Sequence, residues 1–213
     1  GDPGVKGRSA EPHITIKDMF FSYNGKDLFS SLNLEMETGN IYGLLGLNGA
    51  GKTTLMKLLS GLLFPRRGEV RVLGGIPGER VPDTLSRIFV LPEELNMPSI
   101  TEREFLLSNS PFYSGFDSSR FGRYLVEFDV PRDKKLNKLS YGQKKKFLLS
   151  FGLACGSELL ILDEPTNGLD IPSKGLFRRL VAEALTDDRI FVISTHQVRD
   201  VDTLIDPITI LHE

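Results

Sequence analysis

The sequence predicts an α/β fold built on a mainly parallel β-sheet. Short apolar strand patterns alternate with segments of helical spacing along most of the chain. A glycine-rich stretch joins one such strand to a helix, and another buried strand ends in two adjacent carboxylates. Alternation of this kind places helices on both faces of a parallel sheet. The length of 213 residues suits one domain with a small inserted lobe, and the 40% hydrophobic content is enough for its core.

The N-terminal part of the chain has the pattern of five strands and one helix. The strands are predicted at 14–21, 28–36, 40–45, 68–73 and 87–91. The helix is predicted over 53–63, directly after the glycine-rich stretch, and Gly61 and Pro65 mark its end. Residues 1–12 are rich in glycine, proline and charge, and we interpret them as a disordered arm or an expression remnant outside the fold.

Helical patterns without strands fill the region from Glu93 to about residue 139. Thr101 and Glu104 have capping-box spacing at the start of one helix. A second helix is indicated by apolar residues at positions i, i+3, i+4 and i+7, which are Phe121, Tyr124, Leu125 and Phe128. A third helix is predicted to start at Ser140 and to run through residue 151. These patterns predict a helical lobe with an aromatic core.

The C-terminal part of the chain returns to alternating strands and helices. Strands are predicted at 159–162, 190–195 and 208–211. One helix is predicted from residue 171, with Pro172 in its first turn, and a short one over 197–204.

The glycine-rich stretch satisfies the P-loop pattern G-x-x-x-x-G-K-[ST]. Its glycines let the backbone curl so that successive N–H groups face phosphate oxygens, and the following helix adds its positive N-terminal end. Lys52 is predicted to reach the β- and γ-phosphates, and the Thr53 hydroxyl to bind Mg²⁺. The predicted contacts to a nucleoside triphosphate are Gly46, Leu47, Asn48, Gly49, Ala50, Gly51, Lys52, Thr53 and Thr54. The alternative, a glycine-rich turn without a ligand, is disfavoured because strand, loop, Lys-Thr pair and helix occur in the required order.

Two adjacent carboxylates, Asp163 and Glu164, end the apolar strand at 159–162. Carboxylates at the end of a buried strand are costly unless a site uses them. A P-loop needs an acidic anchor for Mg²⁺, which Asp163 would supply. Glu164 could polarise an attacking water as a general base. The alternative is a plain acidic turn.

Further motifs resemble the nucleotide-binding domain of ABC-type ATPases over residues 14–211. The run Leu139-Ser-Tyr-Gly-Gln143 resembles the LSGGQ signature of that family. The run Leu162-Asp-Glu-Pro-Thr-Asn-Gly-Leu-Asp170 resembles the segment at the end of its acidic strand. Tyr23 is similar to the aromatic residue that stacks on adenine, and the run Ser194-Thr-His196 is similar to the switch histidine. The resemblance implies a P-loop NTPase-type mainly parallel sheet with an N-terminal antiparallel β subdomain and an inserted helical subdomain. One domain would cover residues 13–213, with its core at 13–92 and 157–213 and the helical subdomain at about 93–156.

The resemblance also implies a head-to-tail sandwich of two subunits, as a homodimer or a heterodimer. One chain's P-loop, with Asp163, Glu164 and His196, would face the other chain's signature across bound ATP. Ser140, Gly142 and Gln143 would hold phosphate at a helix N-terminus, and Asp170 would cross the subunit boundary. His196 would contact the γ-phosphate, so that Lys52, Glu164 and His196 form the predicted catalytic set.

Two positions depart from the family pattern. Tyr141 stands where the signature has its first glycine, although Gly142 is kept, so the phosphate contact is expected to survive. Glu93 stands where the family has a glutamine, and its carboxylate could reach Mg²⁺ or the attacking water as a third metal ligand with Thr53 and Asp163. Glutamate at this position looks like some efflux-type subfamilies, which favours export.

Two other features receive structural interpretations. The run Lys144-Lys145-Lys146 after the signature is interpreted as a solvated helix face. Cys155, the one cysteine, lies in an apolar segment and is interpreted as an inert core thiol.

The function indicated by these motifs is ATP hydrolysis that powers transport through a separate membrane permease. The subunit would be cytoplasmic and peripheral on the inner face of the membrane, docked through its helical lobe. The alternative is a soluble ABC ATPase that acts on ribosomes or DNA, but a formal net charge of −2 does not suggest a nucleic-acid binder. A non-hydrolysing regulator is disfavoured by Glu164 and His196, and a GTPase by the missing N-K-x-D motif.

Overall fold

The computed structural model describes residues 13–45 and 49–209, without the side chains of residues 49, 50 and 206–209. Its strands are Ile14–Tyr23 (β1), Lys26–Met36 (β2), Asn40–Leu45 (β3), Arg67–Val72 (β4), Ile88–Leu91 (β5), Leu159–Asp163 (β6), Ile190–Ser194 (β7) and Asp206–Thr209 (β8). Its α-helices are Gly49–Leu59 (α1), Pro82–Leu85 (α2), Glu102–Asn109 (α3), Ser118–Glu127 (α4), Tyr141–Ala154 (α5) and Ile171–Ala184 (α6). Short 3₁₀ turns lie at Pro77–Glu79, Ser110–Phe112, Leu136–Lys138 and Val198–Asp200.

Five parallel strands form the central sheet, in the order β5-β6-β7-β3-β8. Every residue of β6 and β7 is buried, as expected for apolar strands covered on both faces. In sequence these strands are the runs Leu159-Leu-Ile-Leu and Ile190-Phe-Val-Ile. The α/β class with a mainly parallel sheet is confirmed.

A second, antiparallel sheet has the order β2-β1-β4. Its buried side chains, such as Ile14 and Met36, share one hydrophobic core with Leu55 and Leu58 of α1 and with Leu44 of β3. The predicted N-terminal antiparallel β subdomain is therefore present, and it packs against the P-loop helix.

The inserted helices form a lobe on the other side of the sheet. The capping box predicted for α3 is present: Glu104 N donates to Thr101 Oγ1 at 3.2 Å, and Thr101 N donates to Glu104 Oε2 at 2.8 Å. Phe151 of α5 is at the centre of an aromatic cluster, with ring centroids 5.0 Å from Phe105 and 6.1 Å from Phe89 of β5. The lobe is therefore tied to the sheet by aromatic packing.

The predicted helix at 53–63 begins and ends four residues early, because α1 covers Gly49–Leu59. The end of the P-loop is already helical. Gly61, with φ of +77°, allows Leu62 N to donate to Lys57 O at 2.8 Å and closes the helix.

The predicted helix at 197–204 is wrong. Only a 3₁₀ turn at Val198–Asp200 forms there, followed by turns. Arg178 Nη1 donates to the backbone oxygen of Asp200 at 3.1 Å, and Thr166 Oγ1 donates to its carboxylate at 3.0 Å. The contact from Arg178 uses the backbone oxygen that would accept from Leu204 N if the helix continued.

Two strand boundaries differ slightly from the prediction. The last strand starts at Asp206 rather than at 208 and is described as far as Thr209, and β7 ends at Ser194, one residue early. Residues 210–213 and the N-terminal arm, residues 1–12, lie outside the described residues.

The packing of Phe151 predicts how strongly the lobe depends on its aromatic cluster. Phe151→Ala should lower the free energy of unfolding by about 3–5 kcal/mol, because it removes a buried ring and leaves a cavity. Leu107→Ala, on the same lobe but 68% exposed, should change it by less than about 0.5 kcal/mol. Urea denaturation of both variants tests this, and equal effects would contradict the packing.

Candidate active site

The ends of three neighbouring strands bring the candidate site together. Ser194 of β7 pairs with Leu44 of β3 on one side and with Asp163 of β6 on the other. The segments that follow these strands therefore leave the sheet side by side. β3 leads to the glycine-rich loop and α1, β6 to Glu164, and β7 to Thr195 and His196.

The carboxylate of Glu164 lies at the centre of this cluster. Lys52 Nζ contacts Glu164 Oε1 at 2.5 Å, and Thr195 Oγ1 donates to Oε2 at 3.0 Å. His196 approaches Oε1 through its backbone N–H at 3.0 Å and through Nδ1 at 2.8 Å. Burial acts to raise the pKa of Glu164, but the hydrogen bonds from Lys52, His196 and Thr195 outweigh it and lower that pKa. Glu164 is therefore an ionised, fully hydrogen-bonded carboxylate.

The backbone of Glu164 is in an unusual conformation. Its φ is +48°, in the left-handed region that residues other than glycine seldom occupy. Glu164 N donates to Ser194 O at 2.8 Å. Its carbonyl oxygen accepts from Asn167 N at 3.2 Å and from Lys145 Nζ at 2.9 Å. These contacts, made by the segments around it, hold the strained backbone in place.

Asp163 and Thr53 supply oxygen atoms next to Glu164. Thr53 Oγ1 lies 3.5 Å from Asp163 Oδ2, and Asp163 Oδ1 is buried without a hydrogen-bond partner among the described residues. Burial, followed by the charges of Glu93 and Glu164, raises the pKa of Asp163 to about 6, against the charges of Lys52 and Lys145. A buried carboxylate oxygen without a hydrogen bond is a suitable ligand for a hard divalent cation.

The described residues do not enclose a metal ion by themselves, since no group of three His, Cys, Asp or Glu side chains among them is arranged for it. This fits Mg²⁺, which proteins usually hold with one or two side chains plus substrate phosphates and water. Glu93 is exposed in the loop after β5, where its charge still raises the pKa of Asp163. Tyr23 is exposed at the end of β1.

The signature residues form the start of α5. Ser140 is the N-cap, and its hydroxyl accepts from Gln143 N at 3.2 Å while Gln143 Oε1 accepts from Ser140 N at 2.9 Å. A Cβ atom at Gly142 would lie 2.9 Å from Gly168 O, so a larger residue there would push the start of α5 away from the loop before α6. Asp170 caps α6 in the same way, accepting from Ser173 N at 3.0 Å.

The remaining predicted nucleotide contacts are placed only in part. Gly46, Leu47 and Asn48 lie outside the described residues, and Gly49 and Ala50 are described as helical backbone. Gly51, Lys52 and Thr54 are buried in the first turns of α1, with Thr53 half-buried beside them.

Two residues at the site were not predicted. Thr195, between β7 and His196, stands out in the sequence only as the middle residue of the Ser194-Thr-His196 run. Lys145 was wrongly interpreted as part of a solvated face: its side chain is 0% exposed, whereas Lys144 and Lys146 are half-buried. Helical spacing could have shown this, because the buried residues Leu149 and Gly152 lie four and seven positions after Lys145, on the same face of the helix.

Cys155 is buried, which confirms its predicted place in the core, and burial raises the pKa of its thiol.

Comparison with known proteins decides the family. A family model described as ABC transporter matches residues 29–167, which is more than half of the chain. The chain belongs to the ABC transporter family of ATP-binding proteins. It is 32% identical over 208 residues to a Nod factor export ATP-binding protein of Burkholderia orbicola, covering 94% of this chain and 68% of that protein.

Other members of the family are similar over comparable lengths. A bacitracin transport ATP-binding protein of Bacillus licheniformis is 32% identical over 204 residues, covering 94% of this chain and 67% of that protein. A solved structure of an ATP-binding subunit of an ABC transporter superposes with a TM-score of 0.82 at 24% identity, over 93% of this chain and 85% of that one. The fold is therefore that of an ABC ATPase, and the family's ATP binding and hydrolysis define the enzyme class.

The described part of this ABC ATPase contains no helix with the length and apolar character of a membrane span.

The raised pKa of Asp163 predicts a pH-dependent stability. Between the ordinary pKa near 3.8 and the folded value of about 6, the folded state keeps a proton that the unfolded chain has lost. Stability therefore falls as pH rises through this window, and the penalty remains above it. In EDTA, Asp163→Asn should be more stable than the parent by roughly 1–3 kcal/mol at pH 8 and by less at pH 5. Urea denaturation at both values tests this, and a difference independent of pH would contradict it.

Proposed function

We propose that this ABC ATPase hydrolyses Mg·ATP to power transport through a separate membrane permease, with export favoured. The observation that carries the proposal is the ionised Glu164 carboxylate, which is held by Lys52 from the P-loop helix and by His196 from the next strand end. The relatives support transport, because those named above are an export and a transport ATP-binding protein.

Phosphate binding would begin with Lys52. Its ammonium is buried against Glu164, at the N-terminal end of α1. A triphosphate in the loop at 46–53 offers Lys52 a stronger, multiply charged partner, so we infer that Lys52 moves from the carboxylate to the β- and γ-phosphates. That exchange would leave Glu164 Oε1 able to accept a proton from water.

Glu164 would then act as the general base. After Lys52 has left, the hydrogen bonds from His196 and Thr195 still favour the ionised form, and Thr195 Oγ1 holds the other carboxylate oxygen. His196 combines a contact to Glu164 with a largely exposed ring, so it can position the base and also face the γ-phosphate of ATP. The proposed catalytic set is therefore Lys52, Glu164 and His196.

Mg²⁺ would be held by Thr53 and Asp163, with Glu93 as a third ligand. The unpartnered Asp163 Oδ1 and the nearby Thr53 hydroxyl support the first two. Bound Mg²⁺ would neutralise charge that develops on the phosphates. Glu93 adds a negative charge next to Asp163 where the family pattern has a neutral residue.

We further propose that two chains share each ATP. Ser140 and Tyr141 are exposed at the N-terminus of the 14-residue helix α5, where backbone N–H groups can hold an anion. In the sandwich this end of one chain faces the P-loop of the other, with Ser140, Gly142 and Gln143 toward phosphate. Asp170 would lie across the subunit boundary, and Tyr23 would stack on the adenine ring.

The permease would dock on the helical lobe. An apolar groove of about 280 Å³ lies between the segment after β5 and the lobe. Its walls include Leu95, Met97 and Phe105, together with Phe89 of β5 and Phe151 of α5. We infer that an amphipathic helix of the permease fills this groove, which would make residues 93–156 the transmitting subdomain and 13–92 with 157–213 the catalytic core.

The general-base assignment predicts a slow enzyme that still binds ATP. Glu164→Gln keeps the size of the side chain but removes its charge, so kcat should fall by about 10²–10⁴-fold with ATP affinity retained. Steady-state hydrolysis and calorimetric titration of Mg·ATP test this. A Glu164→Gln enzyme with the parent's kcat would remove Glu164 from the role.

The shared ATP site predicts that the slow Glu164→Gln variant forms a dimer. Glu164→Gln with Mg·ATP should dimerise in light scattering, because hydrolysis would normally open the sandwich. Adding Ser140→Arg should abolish that dimer by placing bulk and charge at the shared phosphate. Ser119→Arg, an exposed serine on α4 of the same lobe, is the matched control and should leave it intact. Dimers that survive Ser140→Arg would show that the contact lies elsewhere.

The metal assignment predicts a changed Mg²⁺ dependence for Glu93→Gln. This change removes one of the charges near Asp163, so the Mg²⁺ concentration for half-maximal hydrolysis should shift. Glu94→Gln, on the neighbouring exposed residue, should not shift it. Overlapping titrations for Glu93→Gln and the parent would place Glu93 away from the metal.

A further inference from the structure

Lys145 is a buried cation that the proposed mechanism does not use. It lies in the second turn of α5, and its side chain is 0% exposed. Its ammonium donates to the backbone oxygen of Glu164 at 2.9 Å. Lysine is seldom buried unless it is paired, so this position needs a reason.

The ring of Tyr141 covers the ammonium from the first turn of the same helix. Lys145 Nζ lies 5.3 Å from the centre of the Tyr141 ring, within the range of a cation–π contact. Tyr141 Oη donates to the backbone oxygen of Glu93 at 3.3 Å. Its ring edge also packs against Gly168, where a Cβ atom would lie 2.5 Å from Tyr141 Cδ1. Tyr141 therefore connects Lys145 to the loop after β5 and to the loop before α6.

Three carboxylate charges offset part of the cost of burying the Lys145 ammonium. Burial lowers the pKa of Lys145, and the charges of Asp163, Glu93 and Glu164 raise it in opposition. The same site holds one other lysine, Lys52, so two cations face three carboxylates in this cluster. Glu93, the additional acid, acts on both Lys145 and Asp163.

The contact with Glu164 is made where the backbone is strained. The carbonyl oxygen that accepts from Lys145 belongs to the residue with φ of +48°. A left-handed, non-glycine residue keeps its conformation only when neighbouring groups enforce it. The ammonium and Asn167 N both donate to this carbonyl, and the other end of the Glu164 backbone is held by Ser194 O.

We propose that Lys145 is a positioning residue for Glu164, held in place by the ring of Tyr141 and balanced by the charge of Glu93. The proposal rests on the proposed role of Glu164 as the base. It connects the two departures from the family pattern: the tyrosine in the signature covers the cation, and the glutamate after β5 compensates it. The first turns of α5 thereby control the direction in which the Glu164 carboxylate points.

Kinetics of Lys145→Met test the positioning role. This change keeps length and removes the donor, so kcat should fall at least about tenfold while the KM for ATP and the calorimetric ATP affinity stay within about twofold. Lys145→Arg should recover part of kcat because it restores a donor and a charge. Lys144→Met, on the half-buried neighbour, is the matched control and should keep the parent's kcat. A Lys145→Met enzyme that matches Lys144→Met would overturn the proposal.

A second variant keeps the proposal testable if Lys145→Met does not fold. Tyr141 is 42% exposed, so Tyr141→Leu is expected to fold. It removes the ring that covers the ammonium and should lower kcat in the same direction, whereas Tyr141→Phe keeps the ring and most of the rate. Equal rates for Tyr141→Leu and Tyr141→Phe would overturn the part played by the ring.

A stability measurement tests the charge balance without any nucleotide. In EDTA, the increase in the unfolding constant caused by Lys145→Met should be about 2- to 10-fold smaller in the Glu93→Gln background than in the parent. A purely steric role for Lys145 would make the two changes additive, which would overturn the balance with Glu93.

Glu164→Gln, assayed in parallel, distinguishes a failure of the proposed function from a failure of the inference about Lys145. If Glu164→Gln is as fast as the parent, the proposed function fails. If Glu164→Gln is slow and Lys145→Met is normal, the inference about Lys145 alone is wrong.

Discussion

The ionised carboxylate of Glu164 holds three parts of the chain in one place. It accepts from Lys52 on the P-loop helix and from Thr195 and His196 after β7, while its own backbone continues β6. A buried carboxylate without donors would be strongly destabilising, so these contacts fix one another. The same carboxylate is the proposed base. Its main donor, Lys52, is also the residue proposed to move to the phosphates when ATP binds. In the proposed mechanism, substrate binding and activation of the base would therefore be one rearrangement.

Helix α5 connects this carboxylate to the rest of the molecule. Its N-terminal turns carry the signature, with Ser140 as N-cap and Lys145 in contact with Glu164. Its later turns supply Leu148 and Phe151 to the groove proposed for the permease. A rigid helix that touches the base, the shared phosphate site and the docking groove gives the proposed transporter subunit a direct mechanical route between them. The aromatic cluster around Phe151 keeps that helix attached to β5.

Much of the fold could be predicted because its signals are local. The uninterrupted apolar runs of β6 and β7, the P-loop between β3 and α1, and the capping box of α3 each depend on neighbouring residues. The failures depend on contacts between distant residues. Arg178 binds the backbone oxygen of Asp200, which the expected helix would need in order to continue. The burial of Lys145 is compensated by carboxylates on other elements, and a run of three lysines hides the helical spacing that would reveal it.

The central claim is that Lys52 leaves Glu164 for the phosphates and that Thr53 and Asp163 then hold the metal. A crystal structure with Mg²⁺ and a non-hydrolysable ATP analogue tests it most directly. The account predicts Lys52 Nζ within hydrogen-bond distance of β- and γ-phosphate oxygens, Mg²⁺ bonded to Thr53 Oγ1 and held through Asp163, and a water between Glu164 and the γ-phosphate. A nucleotide bound with Lys52 still paired to Glu164, or with its metal away from Asp163, would contradict it.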